Sequence, residues 1–281
     1  ERNISKKTKA VIITHLAGTP CDMTKILKLK NKYNFFLIED CSQAHGSRFK
    51  NKYVGSFGDI SVWSFCNDKI MNTLGEGGMI ACKKNKLYKN LWALRDCGKN
   101  INKIQINKKT YQFKYLHDYD GSNYRMTEIQ AAVGHYQLSK LKNWIKIRKE
   151  NAKKIYEITN LYNVKSYFSN SKDYSPCYYR FYIFIERKNL KKNINIKNLI
   201  MKLNNAGILC NAGSCPEIYK EKKFIKFFKK KLHLQASSKL SNSVIAFFVD
   251  PSLSDTYFKK LQKNLKKIFN IFIKNNDKKF N

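Results

Sequence analysis

Two carboxylates end an apolar run in the first part of the chain. Glu39 and Asp40 follow the residues Phe-Phe-Leu-Ile at 35–38, and a polar turn comes next. A carboxylate at the end of a buried strand faces the crevice where α/β sheets bind ligands. Asp40 could there pair with a protonated ring nitrogen and keep a pyridinium charged, so that the ring withdraws electrons from an attached carbanion. The alternative for a carboxylate in this place is an acidic helix cap.

A lysine occupies a comparable place after a second apolar run. Residues 62–65, Val-Trp-Ser-Phe, lead into a polar turn that contains Lys69, and Gly-Glu-Gly-Gly follows at residues 75–78. Desolvation favours the neutral form of an amine, and a neutral amine can form a Schiff base with a carbonyl group and then move protons. The chain has 55 lysines and arginines. Position by itself therefore does not single out Lys69.

The secondary-structure elements that position Asp40 and Lys69 alternate in the order typical of an α/β fold. Short apolar runs alternate with helical patterns, which predicts a mostly parallel sheet covered by helices. The predicted strands are residues 10–14, 35–40, 59–65 and 78–82, with a predicted helix at residues 22–33. A long helix is predicted from Thr127, because Thr-Glu-Ile-Gln offers a capping box there.

A smaller C-terminal α/β domain is predicted after this helix. We place the boundary near residue 150, so that residues 1–150 form the large domain and residues 151–281 the small one. The small domain would contain strands at residues 178–185 and 244–249, a helix that ends near Gly207, and a terminal helix from about Asp255. One face of the terminal helix is apolar, a pattern that packs on a core more often than on a membrane surface.

The composition indicates which classes of binding partner are less favoured for this protein. The formal net charge is +35, but only seven of the 55 basic residues are arginine, the side chain best suited to phosphate and base contacts. A nucleic-acid-binding role is therefore the weaker, second function class. The eight cysteines include no Cys-x-x-Cys pair and no histidine pair completes a metal site. No apolar stretch is long enough to span a membrane, so we expect a cytoplasmic protein without metal, nucleic-acid or membrane partners.

An ordered set of short motifs resembles one enzyme family. The set comprises Thr-His-Leu-Ala-Gly at 14–18, Glu-Asp-Cys-Ser-Gln-Ala-His-Gly at 39–46, Gly-Ser-Phe-Gly-Asp at 55–59, Gly-Glu-Gly-Gly at 75–78, Asn-Tyr-Arg-Met at 123–126 and Glu-Ile-Gln-Ala-Ala at 128–132. These motifs, with Ser64 and Lys69 in their places among them, resemble those of the DegT/DnrJ/EryC1/StrS aminotransferases. The resemblance implies the α/β architecture of fold-type I transferases that depend on pyridoxal 5'-phosphate (PLP).

The resemblance also implies roles for single residues. Lys69 would carry PLP, Asp40 would bond its pyridine nitrogen, Gln43 would lie against the oxygen side of its ring, and Ser64 would hold its phosphate. Asn123 matches an asparagine that reaches across a homodimer interface toward the same phosphate. The implied reaction transfers an amino group from glutamate or glutamine to a keto group of a nucleotide-linked sugar.

Three further residues fall within the motifs. Arg125 is similar to an arginine that meets the carboxylate of the amino donor or the sugar nucleotide, a contact that suits a guanidinium. His15 and His45 would border the cofactor, with a buried structural histidine as the equal alternative for each.

Two departures from the family pattern leave alternatives open. The opening segment with a Ser-Gly-Thr phosphate turn and a ring-stacking aromatic residue has no counterpart before Glu1, and Asp250 precedes Pro251 where many relatives have another residue. The large domain is therefore expected to be N-terminally incomplete. A truncated, non-catalytic relative is one alternative, and a PLP-dependent sugar dehydratase is the other, although Lys69 stands where that branch has histidine.

Overall fold

Short strands and helices alternate along the chain in the computed structural model, which describes residues 1–104, 115–169, 171–191, 194–227 and 234–276. The strands are β1 (Ala10–Thr14), β2 (Phe36–Asp40), β3 (Arg48–Phe49), β4 (Lys52–Tyr53), β5 (Ile60–Ser64), β6 (Gly78–Cys82), β7 (Lys165–Ser166), β8 (Tyr174–Ser175), β9 (Phe181–Phe184), β10 (Cys210–Asn211) and β11 (Val244–Phe247). The α-helices are α1 (Met23–Tyr33), α2 (Asn85–Arg95), α3 (Ile101–Ile104), α4 (Glu128–Thr159), α5 (Ile196–Asn205), α6 (Lys222–Ile225), α7 (Gln235–Ser241) and α8 (Asp255–Phe272).

The chain divides into two units. The first unit consists of residues 1–142 together with residues 172–175, and the second unit of residues 143–171 and 176–281. The division falls inside α4, eight residues before the boundary that we placed at residue 150. The short segment at residues 172–175 belongs to the first unit because β8 pairs with β3.

The first unit is built on a four-stranded sheet with the order β1-β2-β5-β6. The pairs β1–β2 and β2–β5 are parallel, while β6 runs antiparallel to β5. The predicted bounds of β1 and β6 are confirmed, β2 and β5 each begin one residue later than predicted, and β5 also ends one residue earlier. Parallel pairing brings the carboxyl ends of β1, β2 and β5 to the same edge of the sheet.

One face of this sheet packs on a core, and the other is exposed within the part of the chain that the structure describes. Ile13 and Leu37 are buried with Met23 of α1, as helix α1 covers this face. On the opposite face Ile12 and Phe36 are 67% and 52% exposed. The described residues therefore cover the sheet on one side, whereas the apolar runs predicted cover on both.

The long helix α4 begins as its sequence predicts. Thr127 Oγ1 accepts a hydrogen bond from the amide of Gln130 at 3.3 Å, and Gln130 Oε1 accepts one from the amide of Thr127 at 3.0 Å. These reciprocal contacts form the predicted capping box and satisfy amide groups that have no partner inside the helix.

The second unit has its own sheet and core. Its sheet has the order β10-β11-β9-β7, and every pairing is antiparallel. All residues of β11 and all but one of β9 are buried. Helix α8 places its apolar face on this core, with Phe258, Leu261, Leu265 and Phe269 buried. The stripe on the terminal helix is therefore a core contact, and among the described residues no helix is long and apolar enough to cross a bilayer.

Candidate active site

Polar side chains gather where three neighbouring strands of the first unit end. In the sheet register Thr14 lies beside Asp40, and Asp40 lies beside Val62, two residues before Ser64. Because side chains alternate along a strand, Thr14, Asp40 and Ser64 point to the same face. Thr14 Oγ1 donates to Asp40 Oδ2 at 3.5 Å, and Asp40 Oδ1 accepts the amide of Ser42 at 3.0 Å. The two contacts orient the Asp40 carboxylate at the carboxyl edge of the sheet.

Lys69 lies in a closed turn that begins directly after β5. The turn is closed by hydrogen bonds from the Phe65 amide to the Gly77 carbonyl at 2.8 Å and from the Thr73 amide to the Phe65 carbonyl at 3.1 Å. Lys69 Nζ donates to Asp68 Oδ1 at 2.8 Å, and its side chain is 15% exposed. Lys69 is thus a partly buried amine within the same structural segment as Ser64.

Two glutamines of α4 hold this turn in place. Gln130 Nε2 donates to the Glu76 carbonyl at 2.9 Å, and Gln137 Oε1 accepts the Asn72 amide at 2.8 Å. Gln137 Nε2 also donates to Asn72 Oδ1 at 3.4 Å. The sequence predicted Gln130 only as part of the capping box, and it did not predict a contact of either glutamine with this turn. Their contacts show that the first turns of α4 fix the segment that carries Lys69.

Gln43 is held by the turn that follows β1. Its Oε1 accepts the amide of Ala17 at 2.8 Å. That turn is anchored in its own place, because Ser47 Oγ donates to the Gly18 carbonyl at 2.6 Å and both groups are buried. The carboxamide of Gln43 is therefore oriented through its oxygen at the same edge of the sheet as Asp40.

Glu39 forms a buried hub on the face opposite Asp40. Its carboxylate accepts hydrogen bonds from His15 Nε2 at 3.1 Å and from the amides of Gly55, Phe57 and Gly58 at 2.7, 2.8 and 2.5 Å. Burial opposes its ionisation, but the hydrogen bonds from His15, Gly58 and Gly55 outweigh burial and hold the pKa of Glu39 below its usual value. The hub ties β2 to the turns that follow β1 and precede β5.

His15 belongs to this hub and not to the open edge. It is fully buried, and its Nδ1 accepts the amide of Cys21 at 3.0 Å. The proton of a neutral imidazole must then sit on Nε2, from which it is donated to Glu39. His15, Glu39 and Cys41 place possible metal-binding atoms within 4.8 Å of one another. Both nitrogens of His15 and both oxygens of Glu39 already take part in hydrogen bonds, so we interpret the cluster as a structural hub.

The role of Glu39 was missed from the sequence although a signal was present. Adjacent residues of a strand face opposite sides. Of two consecutive carboxylates at the end of β2, only one can therefore face the ligand crevice, and the other must be satisfied by hydrogen bonds within the fold.

His45 also lies on the inner side of the sheet. It is 2% exposed, and its ring centroid is 5.6 Å from that of Trp63 and 5.8 Å from that of Phe65.

Asn123 and Arg125 lie on a separate loop of the first unit. Asn123 is exposed and forms an antiparallel bridge with Asp96, and its Oδ1 accepts the Arg125 amide at 3.4 Å. Arg125 Nη1 donates to Asp96 Oδ1 at 2.5 Å. These contacts lead to the residues that follow α2 and not to Asp40 or Ser64.

Comparison with known proteins identifies the family. A sequence profile of the DegT/DnrJ/EryC1/StrS aminotransferase family matches residues 1–266. The chain belongs to this family. It is 38% identical over 198 residues to the GDP-perosamine synthase of Escherichia coli O157:H7, a match that covers 69% of this chain and 51% of that relative.

Two further similar proteins support the same grouping. The chain is 38% identical over 152 residues to the dTDP-3-amino-3,6-dideoxy-alpha-D-galactopyranose transaminase of Aneurinibacillus thermoaerophilus, which covers 54% of this chain and 39% of that relative. A solved aminotransferase from Psychrobacter cryohalolentis superposes with a TM-score of 0.89 at 34% identity, over 95% of this chain and 70% of that one. The predicted fold class is confirmed. The chain spans about half or less of the length of these curated relatives.

In this family member the predicted site residues fall into three groups. Asp40, Gln43, Ser64 and Lys69 lie at or just beyond the carboxyl ends of β2 and β5. His15 and His45 are buried beneath that edge. Asn123 and Arg125 lie on the loop that contacts the end of α2.

Proposed function

We propose that the protein is a PLP-dependent aminotransferase that transfers an amino group from glutamate or glutamine to a keto group of a nucleotide-linked sugar. The observation that carries the proposal is the partly buried amine of Lys69, in a turn that begins at the carboxyl edge where Asp40 and Ser64 share one face. The names of the relatives, a GDP-perosamine synthase and a dTDP-linked sugar transaminase, support a nucleotide-linked sugar as acceptor.

The donor set at this edge fits PLP. The Asp40 carboxylate would bond the pyridine nitrogen, the Gln43 carboxamide would lie against the ring oxygen, and the Ser64 hydroxyl would hold the phosphate. Lys69 supplies the amine that would carry the cofactor. When bound, PLP withdraws electrons from the carbon that exchanges its proton.

The residues of this chain would divide the remaining work. Lys69 Nζ would move the proton, since a partly desolvated amine can act as both base and acid. Asp40 would keep the ring nitrogen protonated, and the contacts from Thr14 and the Ser42 amide would keep its carboxylate in position. We assign supporting roles to His15 and His45, because both side chains lie beneath the edge and are buried.

We further propose a homodimer in which Asn123 serves the phosphate site of the second subunit. Asn123 is exposed, and its contacts lead away from the edge that carries Asp40 and Lys69. An asparagine in this place is suited to donate a hydrogen bond to a phosphate oxygen. We also propose a cytoplasmic location.

The test is covalent trapping at Lys69. The protein is incubated with PLP, its absorbance spectrum is recorded, the complex is reduced with borohydride, and the modified lysine is located by peptide mapping. We expect a visible absorption band and a single major label on Lys69, and neither in Lys69→Ala. Wild-type protein is then screened with glutamate or glutamine and nucleotide-linked keto sugars.

The matched control is Lys86→Ala, which removes an exposed lysine of α2. It should keep the band and the label on Lys69. A label spread over several lysines, or one that survives unchanged in Lys69→Ala, would contradict the assignment. Elimination of a hydroxyl without amino transfer would instead identify the dehydratase branch.

A further inference from the structure

The loop that carries Asn123 is fastened along the end of α2 by backbone hydrogen bonds. The amides of Ser122 and Tyr124 donate to the carbonyls of Leu94 and Arg95, each at 2.9 Å, and the Cys97 amide donates to the Ser122 carbonyl at 3.1 Å. These bonds flank Asn123 on both sides. The backbone position of Asn123 is thus set by the end of α2.

The two segments approach too closely for side chains between them. A Cβ atom added to Gly121 would lie 2.3 Å from the Gly98 nitrogen and 2.6 Å from the Ala93 carbonyl oxygen. Contacts this short leave no space for a methyl group. The loop therefore packs on the end of α2 in one defined position.

An ion pair ties the far end of the loop to the same place. The Asp96 carboxylate, in a residue that is 7% exposed, accepts hydrogen bonds from Arg125 Nη1 at 2.5 Å and Lys99 Nζ at 3.0 Å. The hydrogen bonds from Lys99 and Arg125 hold the pKa of Asp96 below its usual value against the effect of burial. Asp96 is also the residue whose backbone bridges Asn123. One residue thus anchors both the backbone of Asn123 and the side chain of Arg125.

We infer that Asp96 and Arg125 are a positioning pair: they hold the loop so that Asn123 is presented to the cofactor phosphate of a second subunit, and Arg125 does not itself bind the amino donor. The inference rests on the proposed function for the role of Asn123. Loss of Arg125 would leave the nearly buried Asp96 carboxylate with fewer charged partners, which is energetically unfavourable. We therefore expect the guanidinium of Arg125 to stay paired with Asp96.

The first test separates positioning from donor binding. The dissociation constant of PLP and the KM for glutamate are measured in Arg125→Gln, Asp96→Asn and the double variant. Each single variant should bind PLP about tenfold more weakly, the loss expected for one hydrogen bond to a charged group. The double variant should be no worse than either single variant, because both changes break the same contact. An increase in the KM for glutamate in Arg125→Gln alone, with unchanged PLP affinity, would overturn the inference.

Arg95→Gln is the matched control. Arg95 lies beside Asp96, with Arg95 Nη2 at 3.6 Å from Asp96 Oδ2, and has the same charge as Arg125, but its side chain is not part of the loop. This variant should bind PLP like the wild type. Equal weakening in Arg95→Gln and Arg125→Gln would show a general effect of charge and would refute a specific pair.

Mixed dimers test whether the loop acts across subunits. Lys69→Ala and Arg125→Gln subunits are unfolded together, refolded and purified as hybrids with two different affinity tags. Each hybrid should contain one site with wild-type PLP affinity, formed by Lys69 of one subunit and the intact loop of the other. Weak affinity at the Lys69-containing site of the hybrid would place the action of Arg125 within its own subunit and overturn the proposal.

A final readout separates failure of the proposed function from failure of the pair. If the wild-type protein binds no PLP, the proposed function fails. Hydrogen exchange of the Ser122 and Tyr124 amides then judges the pair alone, and it should accelerate about tenfold in Asp96→Asn and Arg125→Gln but not in Arg95→Gln. Unchanged exchange in all three variants would refute the positioning role.

Discussion

The two units are stabilised by different kinds of contact. In the second unit the central strands β9 and β11 are buried almost throughout, and α8 covers them with large apolar side chains. In the first unit the described residues cover the sheet on one face only, and its loops are held by hydrogen bonds to buried polar groups such as Glu39 and Asp96. Residues that must meet a polar ligand cannot be fixed by apolar burial alone. In the first unit the proposed cofactor residues Asp40 and Gln43 are held by specific hydrogen bonds.

Charged residues in the second unit serve its structure. Arg148 is 2% exposed, and it donates to Asp250 Oδ1 at 2.7 Å and to the carbonyls of Tyr178 and Tyr179 at 3.3 Å each. Arg180 donates to the other oxygen of Asp250 at 3.3 Å. Asp250, the residue that departs from the family pattern before Pro251, thus pairs with two arginines. The departure has a structural reason within this unit.

The largest expected effect is the loss of apolar packing in the second unit. Phe269 is fully buried and its ring packs edge-on against Tyr162 at 5.2 Å between centroids. Phe269→Ala should lower the free energy of unfolding by about 3–5 kcal/mol, because it removes a large buried side chain and leaves a cavity. Urea denaturation measures the loss, and Ile271→Ala, at a side chain that is 39% exposed, is the control.

Hydrogen exchange then localises the damage. Amides of β9 and β11 should become less protected in Phe269→Ala, while those of β1 and β2 should change less. Equal acceleration in both sheets would mean that the two units unfold as one cooperative body, which would contradict the contrast drawn between them.

The next effect tests the polar network of the first unit. Glu39→Gln keeps the shape of the side chain but removes the charge that accepts hydrogen bonds from His15 and three amides. We expect a loss of about 3 kcal/mol in the free energy of unfolding at pH 7, since hydrogen bonds to a buried charge are lost or weakened. Glu128→Gln, at an exposed residue in the first turn of α4, is the control and should change stability by less than about 1 kcal/mol.

The pH dependence of this loss has a definite sign. The pKa of Glu39 is lowered in the folded state, so its stabilising contribution is complete above the unfolded pKa of about 4.3 and disappears as the pH falls through the folded pKa. The stability difference between wild type and Glu39→Gln should therefore shrink as the pH falls below about 4.3. A difference that grows on acidification would show that Glu39 is not ionised in the fold.

The smallest effect compares two glycines with nearly the same φ angle. Gly98 in the first unit has φ +77° and Gly207 in the second has φ +78°, but a Cβ atom on Gly98 would lie 1.7 Å from the Tyr119 carbonyl oxygen, while the nearest atom to one on Gly207 is 3.8 Å away. Gly207→Ala should cost only the backbone strain, about 1 kcal/mol. Gly98→Ala should cost about 2–3 kcal/mol because overpacking is added.

Thermal or urea denaturation of both variants measures the difference. Gly98→Ala should also speed hydrogen exchange of the Tyr119 amide, which donates to the Gly98 carbonyl at 3.0 Å. An equal loss of stability in both variants would mean that the loop around Gly98 can shift to accept a methyl group. This would contradict the view that specific contacts fix the loops of the first unit in position.

Local features of this protein were readable from its residues. The bounds of β1 and β6, the start of α4 at its capping box and the apolar stripe of α8 follow from short-range periodicity and capping, which depend on neighbours within a few residues. The ordered motifs placed the chain in its family, and with it the fold. These signals are local or sequential, so they survive without knowledge of the tertiary structure.

The tertiary structure decided which polar groups meet. His15 pairs with Glu39 across 24 positions, Arg125 with Asp96 across 29 and Gln137 with Asn72 across 65. Each of these side chains had several chemically equivalent partners in a chain with many lysines, asparagines and carboxylates. The register of the sheet and the packing position of each loop select one partner for each side chain, because a hydrogen bond requires a separation near 3 Å. The sequence therefore determined the elements and the family, while the three-dimensional arrangement determined that Asp40 faces the open edge, Glu39 the interior, and Arg125 the end of α2.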